Sequence, residues 1–150
     1  MNEIENFSKK SNSSLYINDP QKLEEILSSA TDYYNQTIGL NIIECPITIR
    51  ESEKYINASL TEVIQAGLTL NIDFAKELHL MWIARMFLAV DLPDSWVIKA
   101  NEQGIIQYFN SENEIFIDVH PGSFFFNTLI DKSRKRFSKI EEDIQSKLKR

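Results

Sequence analysis

Along this chain the spacing of hydrophobic positions switches from helical to alternating and back, and each switch marks an element. Residues 1–18 are serine- and asparagine-rich and aperiodic apart from Leu15, Tyr16 and Ile17, so they are expected to form a flexible arm. Asp19-Pro20 supplies an N-cap and a first-turn proline, and Leu23, Ile26, Leu27, Ala30 and Tyr34 follow at helical spacing up to a stop at Gly39. Pro46 among β-branched residues makes 41–50 extended or looped. A second helix is expected to start near Ser52 or Ser59, to bury Tyr55, Ile56, Leu60, Val63 and Ile64, and to end about Gly67. Asp73 reads as the cap of a third helix, Phe74 to about Ala89, apolar nearly all round with His79 and Arg85 almost alone. Such a helix needs cover on most sides, and the sheet that follows it is the nearest cover.

From Leu92 to Pro121 the pattern shortens to alternating runs around Trp96, Tyr108 and Phe116, with turn residues between them. Gly122-Ser123 then precedes a final helix. Its apolar positions Phe126, Ile130, Phe137, Ile140, Ile144 and Leu148 recur in steps of four and three, with Ser133 filling the remaining place. A seam that long exceeds what a small sheet can cover, so the far end is expected to dock on a partner.

Leu92, Pro93, Trp96, Gly104, Tyr108, Phe109, Asn110 and Pro121 fall in register with the signature positions of one small fold: the stretch resembles a WW domain. The resemblance implies a buckle of Trp96, Tyr108 and Pro121 that holds the sheet together. It also implies a groove for polyproline-II peptides walled by two aromatics. Those wall positions are Gln107 and Asp118 here, which makes the peptide groove degenerate. Alternation lets the two features part, because Tyr108 and its neighbour Gln107 point to opposite faces. A longer resemblance runs from Thr61 through Pro121. Ile72, Asp73, Glu77, Met81, Trp82, Ala84 and Arg85 ahead of the sheet, and His120-Pro121 at its end, are similar to the amino-terminal helix-plus-WW module of centrosomal WW proteins of basal-body distal appendages. In that pattern the glycine before Ile-Asp is displaced to Gly67, and the proline after the aspartate is Phe74.

The expected architecture is therefore α+β: N-terminal helices packed with a small three-stranded antiparallel WW-like sheet, followed by a long C-terminal helix. Its divisions are the arm 1–18, a helical segment 19–91, the WW-like domain 92–121 and an amphipathic helix 122–150. A chain of 150 residues with 43% hydrophobic content supports one modest core. Cys45 is the only cysteine, which excludes an internal disulfide and points to a reducing compartment. No membrane span or signal peptide is expected.

Net charge is −6, split into +4 from Asn127 onward and −10 before it, a balance that speaks against nucleic-acid binding by the body of the chain. His79 and His120 have no Cys, Asp or Glu at metal-ligand spacing, four glycines make a phosphate cradle improbable, and no nucleophile stands beside a base. Neither catalysis nor a cofactor, metal or small-molecule substrate is expected. Arg85 is the candidate for a buried ion pair with Asp91 or Asp118, or else a snorkelling side chain. Of the consecutive Phe124, Phe125 and Phe126, at least one must find cover outside the final helix's own seam. The expectation that follows is a structural or docking subunit, with a WW-type adaptor that reads a proline-rich or kinase-derived segment as the alternative. The resemblance, not the composition, implies partners in a ciliary or centriolar complex and a place in the cytoskeleton, at a cilium or basal body.

Overall fold

Three short strands with one apolar face cannot seal that face by themselves, and the first unit of the fold is the solution to this problem. The computed structural model describes residues 15–149. They divide into two compact units, residues 15–34 with 92–123 and residues 35–91 with 124–149.

In the first unit, β2 (Trp96–Ala100), β3 (Ile106–Asn110) and β4 (Ile115–Ile117) form an antiparallel meander. Trp96 stands opposite Asn110, and Tyr108 opposite both Ile98 and Ile117. Asparagines close both turns. The Asn101 side-chain oxygen accepts from the N–H groups of Gln103 and Ile105 at 2.9 Å, and Gly104 takes the left-handed backbone at φ +79° that the reversal requires. Asn110 accepts in the same way from Glu112 and Asn113.

The expected three-stranded sheet is corrected to four, in the order β1-β4-β3-β2. The added strand β1 (Leu15–Tyr16) runs parallel to β4, with Leu15 beside Ile115. Leu15 N–H donates to Glu114 O and Ile17 N–H to Phe116 O, both at 2.9 Å. These residues come from the stretch expected to be an arm. Two residues carry no periodicity, and their partners lie one hundred positions away.

Helix α1 (Pro20–Thr37) starts as its sequence dictates, with Asp19 accepting from Lys22 N–H. Its Leu27 joins Trp96, Ile115 and Ile117 in one buried cluster, against which Leu23, Ile26, Ile17, Leu92, Tyr108 and Val119 pack. Further along, Tyr34 is fully buried against Gly122, where a Cβ would come within 2.8 Å of its ring. The helix thus supplies the second layer that the sheet's inner face needs.

The second unit is helical: α2 (Ile47–Arg50), α3 (Glu53–Asn57), α4 (Leu60–Thr69), α5 (Met81–Ala89) and α6 (Ser123–Leu148) from Phe124 onward. Both serines offered as helix starts are used. Ser52 caps α3, and Ser59 forms a capping box with Glu62 at the head of α4. Of the stripe expected to be buried, Val63 is buried and Tyr55 half-buried, whereas Ile56, Leu60 and Ile64 are exposed.

The third helix begins at Met81, after a 3₁₀ turn at Leu78–Leu80, and not at Phe74. The reason lies in residues 71–77. Asn71 turns left-handed at φ +59°, the Asp73 side chain accepts from Ala75 N–H, and Phe74 lies so close over Gly67 that a Cβ there would meet its ring at 2.5 Å. Arg134 of α6 locks this loop from outside. It donates from Nε and Nη2 to the two Glu77 oxygens at 2.7 and 3.0 Å, and from Nη2 to Asn71 O at 2.9 Å. That bond holds the Glu77 carboxyl below its ordinary range.

Helix α5 takes cover from α2, α3 and α4 of its own unit and buries Ile83, Ala84, Met86 and Ala89. Arg85 makes neither expected ion pair: its guanidinium lies over the Tyr55 ring at 5.5 Å, while Asp91 pairs with Lys54. In α6, Phe125 and Phe126 are fully buried, the latter edge-on to Phe87, and Phe124 is left partly exposed.

Trp96→Ala should cost about 3 to 5 kcal/mol, since it empties the centre of the apolar cluster that joins the sheet to α1. Denaturant unfolding followed by circular dichroism measures this, and an unchanged midpoint would show that the ring does not hold the sheet to α1.

Candidate functional site: the two faces of the sheet

Pleating sorts the strand residues into an inner and an outer set. On the inner face Trp96 is 9% exposed, Tyr108 packs against the same cluster, and Pro121 is fully buried. His120 completes this side. Its ring stands edge-on to Tyr108 at 5.1 Å, and its Nδ1 accepts from Gly122 N–H at 2.9 Å. Burial pushes its pKa down from 6.5 to about 4.

The outer face carries Val97 and Lys99 of β2, Gln107 and Phe109 of β3, and Phe116 of β4. Register sets Val97 beside Phe109, Phe109 beside Phe116, and Phe116 beside Tyr16. Phe109 and Phe116 touch with ring centroids 4.7 Å apart, and the Lys99 ammonium sits 4.2 Å over Phe109. The two expected wall positions meet directly. Gln107 Nε2 donates to one Asp118 oxygen at 3.1 Å, and the Tyr16 hydroxyl donates to the other. The bond to Asp118 raises the Tyr16 pKa, with desolvation adding to it. At these two positions the surface therefore carries a carboxylate already holding two hydrogen bonds.

Tyr16 could not be found from sequence spacing, because it reaches Asp118 only through the parallel pairing of β1. Asn110 and His120 were visible as part of the family pattern, but nothing local in the sequence announced their buried hydrogen bonds.

The seam residues of α6 separate into three environments. Phe126 and Ile130 are buried, Phe137 stacks on His79 with centroids 3.8 Å apart, and Ile140, Ile144 and Leu148 are 47%, 52% and 75% exposed. The open stretch thus begins near Phe137. Among the described residues no group of three or more His, Cys, Asp or Glu could hold a metal ion, and no helix is long and apolar enough to cross a membrane.

The geometry defines a small sheet with one face sealed by its own helix and one face open. No family model matches the chain. A curated relative, the centrosomal protein of 164 kDa from Mus musculus, is 31% identical over 88 residues, which is 59% of this chain and 6% of the mouse protein's length. The chain is similar to that short portion of a much longer protein.

The neutral state of His120 gives the fold a specific acid sensitivity. Its pKa lies lower in the folded than in the unfolded chain, so its stabilising contribution is complete above pH 6.5 and is lost as pH falls toward 4. Between pH 8 and pH 4 this one group should remove about 3 kcal/mol. Unfolding midpoints measured across that range should fall in the wild type and change much less in His120→Gln.

Proposed function

We propose that this protein is a non-catalytic docking or structural subunit of a centrosome- or cilium-associated assembly. In this reading a WW-like sheet serves as a packing element and no longer grips proline-rich peptides. The observation that carries the reading is the closed Gln107–Asp118–Tyr16 set on the sheet's open face. A polyproline-II ligand gains its affinity by burying proline rings between aromatics, about 25 cal/mol per Å². Here it would have to strip Asp118 of its partners and leave a desolvated carboxylate without a counter-charge. The similarity to a centrosomal protein supports the cellular setting, and the exposed end of the α6 seam supports the contact with another subunit.

A peptide-binding adaptor is the second reading, favoured by the half-buried Phe109–Phe116 pair beside Val97. Titration with fluorescent Pro-Pro-x-Tyr and Pro-x-x-Pro peptides separates the two. The wild type should show no micromolar binding, and Gln107→Tyr with Asp118→Trp should gain it. Micromolar binding by the wild type would establish the adaptor instead.

The docking helix has its own test. Ile140→Glu with Ile144→Glu changes two exposed side chains, so thermal stability should hold within about 0.5 kcal/mol. Affinity purification from ciliated cells should then lose the centrosomal or ciliary proteins that the wild type retains. Unchanged recovery would make the helix end a solvated tail.

A further inference from the structure

The final helix changes character at Lys135. Before it, Phe125, Phe126, Leu129 and Ile130 are buried and Arg134 grips the 71–77 loop, whereas from Lys135 onward every described residue of α6 is exposed. The apolar spacing runs on across this boundary. Phe137 and Ile144 repeat the position of Ile130 at steps of one heptad, and Ile140 repeats that of Phe126 and Ser133. The free stretch is about 20 Å long at 1.5 Å per residue. It continues from a half already fixed by packing, so little further ordering is lost when a second helix lies along it.

What fits such a seam is decided by the charges beside it. In this repeat Arg136 and Asp143 flank the seam on one side, and Glu141 and Leu148 on the other. Neither Arg136 nor Glu141 has an ion-pair partner among the described residues. A second copy lying parallel and in register sets Arg136 of each chain against Glu141 of the other, twice by symmetry, with no like charges facing across the flanks. An antiparallel copy confined to the free stretch sets Ile140 against Ile144, and brings Glu141 beside Glu141 and Asp143 beside Asp143. Sliding that copy until Arg136 meets Asp143 would lay it over the part of α6 where Ile130 is buried and Ser133 half-buried within their own chain.

Charge complementarity thus selects one occupant and one orientation. We propose that the free end of α6 pairs in parallel with the same stretch of a second copy of this chain. Ile140, Ile144 and the exposed part of Phe137 form the shared seam, with an Arg136–Glu141 pair on each side. The proposal rests on the docking role given to α6 above and names the partner of its exposed seam. Lys147 falls at the next seam position, where a lysine stem can cover Ile144 while its ammonium turns to water, at some loss of affinity.

The test is sedimentation equilibrium of the full chain from about 10 μM to 1 mM, the range in which so short a seam should associate. A reversible monomer–dimer equilibrium is expected. Glu141→Lys should weaken it about tenfold, as should Arg136→Glu, and Arg136→Glu with Glu141→Arg should restore it. Glu142→Lys, on the helix face away from the seam, should leave it unchanged. Lys147→Leu should tighten it about tenfold. Lys147→Cys should oxidise in air to a disulfide-linked dimer, because the parallel register sets the two side chains face to face. These positions are all exposed, so the thermal midpoint of the dilute protein should not move. A monomer at every concentration, a dimer indifferent to Glu141→Lys, failure of the charge exchange to restore it, or a dimer without the Lys147→Cys cross-link would each overturn the proposal. The docking role is separable from this result. A monomeric wild type that still retains centrosomal or ciliary proteins on purification would overturn the pair and leave the role standing. A dimer that retains none of them would support the pair and remove the role.

Discussion

Burial of the Trp96 ring is the constraint on which the first unit depends. A three-stranded meander has two faces and too few residues to close either. Leu27 of α1 meets Trp96, Ile115 and Ile117 in one cluster, so sheet and helix share a core that neither could form alone. Other features follow from this shared core. Asp19 and Pro20 set where α1 begins, Gly122 lets the chain pass close under Tyr34, and neutral His120 fits a place where a charged imidazole would not. Because the inner face is committed to α1, whatever the sheet offers to another molecule must lie on its outer face or along the margin between helix and strands.

The outer face shows how a surface can carry its own polar contacts without touching the buried core. Gln107 and Asp118 alternate with core-facing Tyr108 and Ile117, so their side chains change without cost to the buried cluster. The Asp118 carboxylate at this surface needs donors. Gln107 and Tyr16 supply them from the two neighbouring strands. The phenylalanines beside them stay partly open, under the Lys99 ammonium rather than an aromatic clamp.

Elements written in local periodicity were legible in the sequence: α1 with its Asp19 cap, the meander with its Asn and Gly turns, and the long last helix. What failed was written in long-range contacts. Leu15 and Tyr16 become a strand only because Ile115 and Phe116 present an open edge to them. Phe74 to Leu80 has helical composition, yet the fit of Phe74 over Gly67 and the grip of Arg134 on Glu77 pull it into a loop and a 3₁₀ turn. The candidate site divides in the same way. Gln107 and Asp118 could be read off the family pattern, whereas Tyr16 required the fold.

The parallel strand β1 also has a consequence for handling the protein. The outer edge of β4 is a row of backbone donors and acceptors, and unpaired edges of this kind template the pairing of one molecule with the next. Glu114 O and Phe116 O are satisfied by Leu15 and Ile17 of the same chain, so this edge is kept occupied from within. A protein trimmed to begin at the first residue of α1 would retain its helix and its tryptophan cluster, yet it would carry a bare β4 edge beside the half-buried Phe116 ring. Such a fragment would be folded and prone to stack into ribbons, and its poor solubility would reflect a missing two-residue strand rather than a damaged core.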